Sequence, residues 1–185
     1  MLKVGPFPSP NHKPSQEAKE SNKIVVWDEK GKTKLTQMFI SYDEDYINSL
    51  AFQYIEDGKL TLSPVFGSQH LHSPTFDTVT FMGGSDKEYS YITKISGKWG
   101  KRGPTMKLGL TALTIETDKA TYGPFGCAKQ PQFQDGLFSI SLGLEDQFGG
   151  FHGTSSSHII TSIGVYVKPV QDLGAILNKT NISVD

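Results

Sequence analysis

Apolar and polar residues alternate with a period of two through most of the sequence, and apart from the C-terminal QDLGAILNK no window carries apolar residues at helical spacing. Nineteen glycines and ten prolines interrupt the alternation at short intervals. A period of two is typical of strands with one buried face, and glycine and proline mark the turns between them. We therefore predict an all-β protein with little helix.

After a first strand at the N-terminus, the alternation predicts strands in the segments KIVVW, LTQMFISY, INSLAFQYI, KLTL, FDTVTF, YITKIS, MKLGLTALTIET, LFSISLGLE and SHIITSIGVYVKP. Residues 9–23 are polar, charged and proline-containing, so we expect a mobile loop there. The tail beyond Val170 contains no strand pattern. The sequence thus predicts one domain over residues 1–170 and a C-terminal extension over residues 171–185.

One pattern recurs three times, in INSLAFQY from Ile47, LTALTIET from Leu110 and ITSIGVYV from Ile160. Each copy reads apolar, Thr or Asn, small, apolar, variable, apolar. A β unit of this size cannot bury its own apolar face, so three such units are expected to pack around a shared core. The repeat predicts threefold pseudo-symmetry.

Charge and cysteine content narrow the class of partner. Eighteen basic and nineteen acidic residues are interspersed and give a net charge of -1, which argues against a nucleic-acid partner. The single cysteine, Cys127, allows no intramolecular disulfide. No segment has the apolar length of a signal peptide or a membrane span, so we expect no membrane partner and a location in the cytoplasm or also the nucleus.

Six motifs in order carry a family resemblance: VGPF, WDEKG, INSLAFQYIEDGK, YITKISG, TALTIETDKATYGPFG and GGFHG followed by SIGVYVKP. Together they make the chain similar to the jacalin-related lectins of the mannose type, over Leu2 to Pro169. The resemblance implies a β-prism I fold of three four-stranded Greek-key sheets. It also implies a carbohydrate-binding protein, for mannose or oligomannose, in plant stress or defence, with a homo-oligomer as a further expectation.

The resemblance also implies where a sugar would bind. The family's site combines a glycine-rich turn after the first strand with a Gly-x-x-x-Asp loop leading into the last strand. Carried onto this sequence, it assigns carbohydrate contacts to Gly5, to Ser157, His158, Ile159 and Thr161, and to the flanking Tyr89. Carboxylates accept from sugar hydroxyls, backbone N–H groups donate to sugar oxygens, and an aromatic ring can cover a sugar face.

Both halves of this motif are altered. Thr161 stands where the family has its aspartate and Ser157 where it has its glycine, in a loop that is one residue longer than usual. Pro8 and Ser9 replace two glycines in the other half, and Pro8 removes a backbone donor. An alternative function therefore stays open: a module with the same fold that has lost sugar binding and acts in pathogen (viral) restriction through a protein partner.

Other chemistry receives little support from the sequence. His70 and His72 share one face of a strand and could seat a metal, but exposed loop histidines explain the pair better. His152 matches a structural family position, where we expect a partly buried, hydrogen-bonded ring. No nucleophile elbow, phosphate loop or dinucleotide fingerprint is present, so we predict neither an enzyme nor a cofactor or metal.

Overall fold

The computed structural model describes residues 1–9, 24–68, 75–82, 89–102, 107–127, 135–143 and 145–170. These residues form thirteen strands and no helix, which confirms the all-β prediction. The strands are β1 (Leu2–Phe7), β2 (Val25–Asp28), β3 (Leu35–Tyr42), β4 (Ile47–Glu56), β5 (Lys59–Leu62), β6 (Phe66–Gly67), β7 (Thr75–Thr80), β8 (Ile92–Arg102), β9 (Lys107–Thr117), β10 (Thr121–Gly126), β11 (Gly136–Ser141), β12 (Phe148–Ser155) and β13 (Ile160–Val167). Apart from Ser9, the predicted mobile loop lies outside the described residues, as do the C-terminal extension and His70 and His72.

The strands form three antiparallel sheets. The first sheet has the order β1-β13-β12-β2 and joins both ends of the chain. The second sheet has the order β5-β4-β3-β7, and the third has the order β10-β9-β8-β11. Short β6 also pairs with β4, end to end with β5, so each sheet has four strand positions. This is the three-sheet β-prism that the resemblance predicted.

The three sheets share one core. Phe52 of β4 is fully buried, and its ring stacks on Phe151 of the first sheet with centroids 4.7 Å apart. Trp27, also in the first sheet, stacks on Phe66 of the second at 4.7 Å. Inner-face residues of the third sheet, such as Leu113, complete the cluster. The apolar faces of different sheets thus bury one another.

The sequence repeat corresponds to a repeated backbone feature. The second residue of each copy, Asn48, Thr111 or Thr161, lies where the register of its strand shifts by one against the neighbour, which is a β-bulge. The fourth residue of each copy pairs with a phenylalanine of the adjacent edge strand: Phe66 with Leu50, Phe125 with Leu113, and Phe7 with Ile163. The predicted threefold pseudo-symmetry is therefore present in the strand pairing.

The prism has two ends, which we name by their connections. The turn end carries the β3–β4 and β12–β13 turns, and Tyr46 from the former and Ile159 from the latter both lie beside Gly109. The opposite end carries the first residues of β3, β8 and β12. Because neighbouring strands are antiparallel, each connection between two strands lies at one end of the prism. A connection at the opposite end therefore does not contribute to a site at the turn end.

The sequence interpretation was wrong for one stretch of the first sheet. The glycine- and serine-rich segment before Ile160 reads as a loop, but most of it is the buried strand β12. Its glycines serve close packing: a Cβ on Gly153 would clash with the Ser162 carbonyl and the Trp27 ring. Glycine here marks close approach within a sheet rather than a turn.

Candidate functional site

The predicted sugar loop is reduced to a four-residue turn, Ser156–Ile159, between Ser155 and Ile160, which pair directly. The Ser156 N–H donates to the Ile159 carbonyl (3.0 Å). The N–H groups of His158 and Ile159 both approach the Ser156 hydroxyl oxygen at 3.3 Å. Such a serine turn satisfies its own backbone donors. The N–H groups of His158 and Ile159 therefore already have an acceptor within the turn.

The predicted contact residues of this turn divide into exposed and buried ones. Ser157 and His158 are exposed, and their side chains contact each other through Ser157 Oγ and His158 Nδ1 at 2.7 Å. Ile159 is only 6% exposed and fills the space above Gly109. Only Ser157 and His158 present polar side-chain groups to solvent here, while Ile159 anchors the turn.

Thr161 lies at the bulge of β13, at the position of the family's aspartate. Its hydroxyl is 2.7 Å from that of Thr154, which in turn is 2.6 Å from the Ser162 hydroxyl. Thr161 is half-buried and Ser162 buried. Three neutral hydroxyls thus hydrogen-bond to one another where a carboxylate would accept from a sugar. Residues 154–162 contain no carboxylate.

The first half of the expected site also differs from its pseudo-symmetric counterparts. Pro8 occupies the position that Gly67 and Gly126 occupy in the other two sheets, where the glycine φ angles are +91° and +85°. Proline is restricted to φ near about −65°. Because Pro8 cannot adopt that backbone conformation, the end of β1 differs at this residue from its two counterparts. Pro8 itself is buried and Ser9 exposed.

Gly5 lies within β1 rather than at its end. It sits at the β1 bulge, between the pairs Val4–Val165 and Phe7–Ile163, and a Cβ there would come within 3.1 Å of the Gly164 Cα. The structure thus places Gly5 alongside Gly164, about three residues or roughly 10 Å along the sheet from Thr161. Its backbone accommodates a neighbouring strand rather than forming a turn.

Tyr89 lies at the wrong end of the prism for the predicted site. It precedes β8 at the opposite end, where Lys119 Nζ donates to its carbonyl (3.0 Å) and its ring packs on the core. Burial raises the pKa of its hydroxyl well above the usual value, with nearby Asp146 adding to the effect. The sequence prediction failed because β7 is antiparallel to β3 and therefore ends at the opposite end of the prism. Tyr89, which follows β7 in the chain, lies at that end and not at the end that carries Thr161.

His152 is hydrogen-bonded, as the sequence predicts, but it is buried more completely than the partly buried ring expected. It is 2% exposed, its Nε2 lies 3.1 Å from the Val4 carbonyl oxygen, and its ring crosses over Gly164. Burial lowers its pKa, and Lys3 lowers it further. The ring ties β12 to β1 across β13 and has a structural role beside the site.

Three carboxylates at the turn end belong to the β3–β4 turn. Asp43, Glu44 and Asp45 of the β3–β4 turn, together with Tyr42, line an open cleft of about 550 Å³. Asp43 accepts from the N–H groups of Asp45 and Tyr46 (2.8 Å each). Its second oxygen accepts from Asn48 Nδ2 (2.9 Å). The Asp43 carboxylate therefore stabilises its own turn.

The sequence interpretation missed Thr154 and Ser156, whose hydroxyls take up the hydrogen-bonding groups of the turn. The run GTSSS contained the signal, since serine and threonine at a tight turn bond to nearby backbone and to each other. Together the geometry defines a three-sheet β-prism of the lectin type, with a turn that contains no carboxylate at the position of the family's sugar site.

Comparison with known proteins agrees with this class. A family model described as Jacalin-like lectin domain matches residues 18–166, so the chain belongs to the jacalin-like lectin family. It is 33% identical to Protein RESTRICTED TEV MOVEMENT 1 of Arabidopsis thaliana over 91% of this chain and 87% of that one. Jacalin-related lectin 24 of the same species is 28% identical over 97% of this chain and 73% of its own length.

A solved structure gives the same fold. AcmJRL, a mannose-binding jacalin-related lectin from Ananas comosus, is 25% identical, covers 91% of this chain and 98% of its own, and aligns with a TM-score of 0.66. Proteins of this family and fold bind carbohydrates without enzymatic activity.

Proposed function

We propose that this chain is a jacalin-fold interaction module that takes part in restricting virus movement in plant cells, acts through a protein partner in the cytoplasm, and is not an enzyme. The observation that carries the proposal is the self-satisfied β12–β13 turn. Its backbone donors approach Ser156, and the Thr161 hydroxyl bonds to Thr154. A sugar would have to displace these contacts before making its own.

The energetics favour loss of monosaccharide binding. A hydrogen bond to a charged acceptor contributes about 1.5–3 kcal/mol and a neutral one about 0.5–1.5 kcal/mol. Exchanging a carboxylate for the Thr161 hydroxyl therefore forfeits about 1–2 kcal/mol, or roughly tenfold in affinity. Breaking the internal bonds of the turn adds to this cost. Shallow sugar sites have little affinity to lose.

The relatives support the biological setting. Two Arabidopsis thaliana proteins at 33% and 32% identity, each matched over 91% of this chain, are named for restricted TEV movement, one of them as an inactive form. The relatives named as jacalin-related lectins 24 and 25 are 28% and 25% identical. Over nine-tenths of the chain or more, the restriction proteins match at higher identity than jacalin-related lectins 24 and 25, which favours the same role here.

A glycan array that includes high-mannose oligosaccharides, followed by calorimetry, tests the loss of sugar binding. We expect the folded wild-type protein to give no mannose signal. The variant Thr161→Ala serves as the matched control for any signal that appears. A glycan that binds wild type but not Thr161→Ala would establish a working sugar site and overturn this part of the proposal.

A virus-movement assay tests restriction separately. A reporter-tagged TEV is followed in plants that express the wild-type chain or Thr161→Ala. We expect wild type to reduce spread beyond the inoculated leaf, and Thr161→Ala to reduce it equally, because the hydroxyl is not needed for a protein contact. Unimpeded spread with folded wild-type protein would contradict the restriction role.

Oligomannose binding remains a second candidate because Ser157 and His158 are exposed at the turn end. Their side chains could contact sugar units beyond a first mannose, as in a mannose-binding relative of the same fold. Binding of long but not short oligomannose, lost on His158→Ala and retained in an alanine variant of the remote Lys119, would favour this function. The double variant Ser157→Gly with Thr161→Asp would then bind more tightly than wild type.

A further inference from the structure

The strand β7 forms one edge of the second sheet and turns one side of its backbone outward. It pairs with β3 over six consecutive residues without a register shift. The next residue, Phe81, donates its N–H to the carbonyl of Thr36 beside it (2.8 Å). Because backbone groups alternate in direction along an antiparallel strand, those of Phe76, Thr78 and Thr80 point away from β3. Among the described residues, no strand pairs with β7 on that side.

The side chains of the same three residues lie on the outer face of the sheet and are exposed. Phe76 is 54% exposed, and its ring stacks on half-buried Phe39 of β3, with centroids 6.4 Å apart. Thr78 and Thr80 are also exposed. The edge thus combines outward backbone groups with one aromatic and two β-branched side chains. These residue types form favourable pairs with a neighbouring strand.

The outer surface beside this edge is uncharged. The residues of β3 that pair with Phe76, Thr78 and Thr80 are a serine, a phenylalanine and a glutamine. The charged residue of β7, Asp77, faces the other side of the sheet and accepts from the Tyr42 hydroxyl (2.7 Å). A charged side chain brought against the outer surface would lose water without meeting an opposite charge. The edge therefore fits an uncharged segment.

Most other sheet edges carry features that prevent the addition of a strand. β1 and β10 each contain a bulge with a proline, Pro6 or Pro124, which has no N–H to donate. β5 and β6 are short and separated by Pro64, and β2 has four residues and ends at Asp28. Of the described edges, only β11 matches β7 in length and regular register. Its neighbours on β8 include Lys94, so its surroundings are charged.

The β7 edge fits one extended segment better than a folded surface. Its outward N–H and C=O groups follow one another along about 20 Å, the length of six strand residues. Another extended backbone is the partner that matches this row of donors and acceptors. The row is only one strand wide, which is far less than the ~800 Å² per partner that a specific interface between folded proteins needs. These observations point to a short strand from another protein.

We propose that β7 is the docking site for the protein partner, and that an extended, uncharged segment of that partner adds to the second sheet beside Phe76, Thr78 and Thr80. This inference rests on the part of the proposed function in which the chain acts through a protein partner, and it names the chemistry of that contact. The segment bonds to the outward backbone groups of β7. An aromatic or β-branched side chain of the segment packs beside the Phe76 ring.

Fluorescence anisotropy with the purified full chain tests this docking site. The probe is a fluorescein-labelled octapeptide of alternating valine and threonine with one central phenylalanine. The control peptide has the same sequence with N-methylated backbone amides. We expect wild type to bind the probe in the micromolar range and not to bind the control, which lacks the donors that pair with β7.

Substitutions on the protein locate the bound peptide. Thr78→Pro removes an outward N–H and should weaken binding about tenfold or more. Phe76→Thr keeps the backbone edge and should weaken binding about twofold to fivefold. Ser139→Pro is the matched control on β11, where Leu142 donates to Thr93 (2.7 Å) and the N–H of Ser139 therefore points away from β8. It should bind like wild type. Far-UV circular dichroism verifies that all variants fold.

Three binding results would overturn the proposal. They are a wild type that binds neither peptide up to millimolar concentration, a Thr78→Pro variant that binds like wild type, and a Ser139→Pro variant that loses as much affinity as Thr78→Pro. Sedimentation of the chain alone examines a second copy as the occupant. A wild-type dimer that Thr78→Pro dissociates would assign the edge to that copy and would also overturn the proposal.

The virus-movement assay connects the edge to the partner. Thr78→Pro should let the virus spread, and Ser139→Pro should restrict it as wild type does. Restriction by Thr78→Pro equal to that by wild type would mean that the partner docks elsewhere. Peptide binding needs no virus, so the two failures are distinguishable. Unimpeded spread with a wild-type chain that binds the peptide would contradict the restriction role alone.

Discussion

At the scale of single residues, the first sheet shows how a family site can be neutralised while its fold is retained. Thr161 and Ser157 replace the two residues that give the family its motif. Thr154 is a hydrogen-bond partner for the Thr161 hydroxyl, and Ser156 is one for the backbone N–H groups of the turn. Buried or half-buried polar groups need such partners. The substitutions therefore form a consistent set, in which the turn satisfies its own hydrogen-bonding groups.

His152 gives a prediction at this scale. Its pKa is lowered by burial, so as pH falls the unfolded chain takes up the proton before the folded one does. The buried neutral ring of His152 makes its full contribution to stability at a pH above its pKa in the unfolded chain, about 6.5. This contribution is lost as the pH falls towards the lower pKa in the folded protein. Urea unfolding between about pH 7 and pH 5 should show a decreasing free energy of unfolding. His152→Gln should flatten this dependence.

His158→Gln is the matched control for the His152 prediction. His158 is exposed and lies six residues further along the same sheet. The control should therefore keep the wild-type dependence on pH. If His152→Gln and wild type lose stability equally over this range, burial of His152 is not the cause.

At the scale of elements, the recurring unit is a bulge closed by an edge strand. In the third sheet, Gly126 has a φ of +85°, and the next residue, Cys127, donates its N–H to the carbonyl of bulge residue Thr111 (2.7 Å). In the second sheet, Ser68 donates in the same way to Asn48 (2.9 Å). The bulge exposes a carbonyl, and the edge strand needs glycine to reach it.

Substitution of Gly126 by alanine tests this arrangement. A Cβ there would be strained by the positive φ and would also contact the Thr111 carbonyl and Ile47. Gly31→Ala is the control, since Gly31 has a φ of +88° but nothing within 4 Å of a Cβ. We expect Gly31→Ala to cost about 1–2 kcal/mol from φ alone. Gly126→Ala should cost about 1–3 kcal/mol more from crowding. Equal losses in urea unfolding would refute the steric requirement.

Elements also show how far the sequence leads. Segments with clear alternation, such as Leu35–Tyr42 and Lys59–Leu62, are strands to the residue. The strands β10 and β12 were missed because their glycines and proline read as turns, although they serve bulges and close packing. Tyr89 was misplaced because local pattern does not give strand direction. The repeat predicted the pseudo-symmetry, but only the structure shows that its second residue forms a β-bulge and which hydroxyls at the turn bond to one another.

At the scale of the whole molecule, no sheet is independent of the others. The first sheet combines strands from both ends of the chain, and Phe52 of the second sheet stacks on Phe151 of the first. Removing one sheet would expose the apolar faces of the other two. A protein whose sheets bury one another is expected to unfold in one cooperative transition rather than sheet by sheet.

The two tryptophans make this cooperativity measurable. Trp27 lies between the first and second sheets, and Trp99 belongs to the third. In Trp99→Phe the remaining fluorescence reports on Trp27, and in Trp27→Phe it reports on Trp99. At a fixed protein concentration, the urea midpoint by fluorescence should equal the midpoint by far-UV circular dichroism in each variant. Because both midpoints are measured on the same variant, their comparison is not affected by stability lost through the substitution.

A Trp99 transition separated from the dichroism transition would mean that the third sheet unfolds on its own, which would contradict the shared core. Coincidence in both variants would mean that all three sheets unfold together, so that a destabilising substitution in any sheet lowers the stability of the whole prism, including the turn at Thr161.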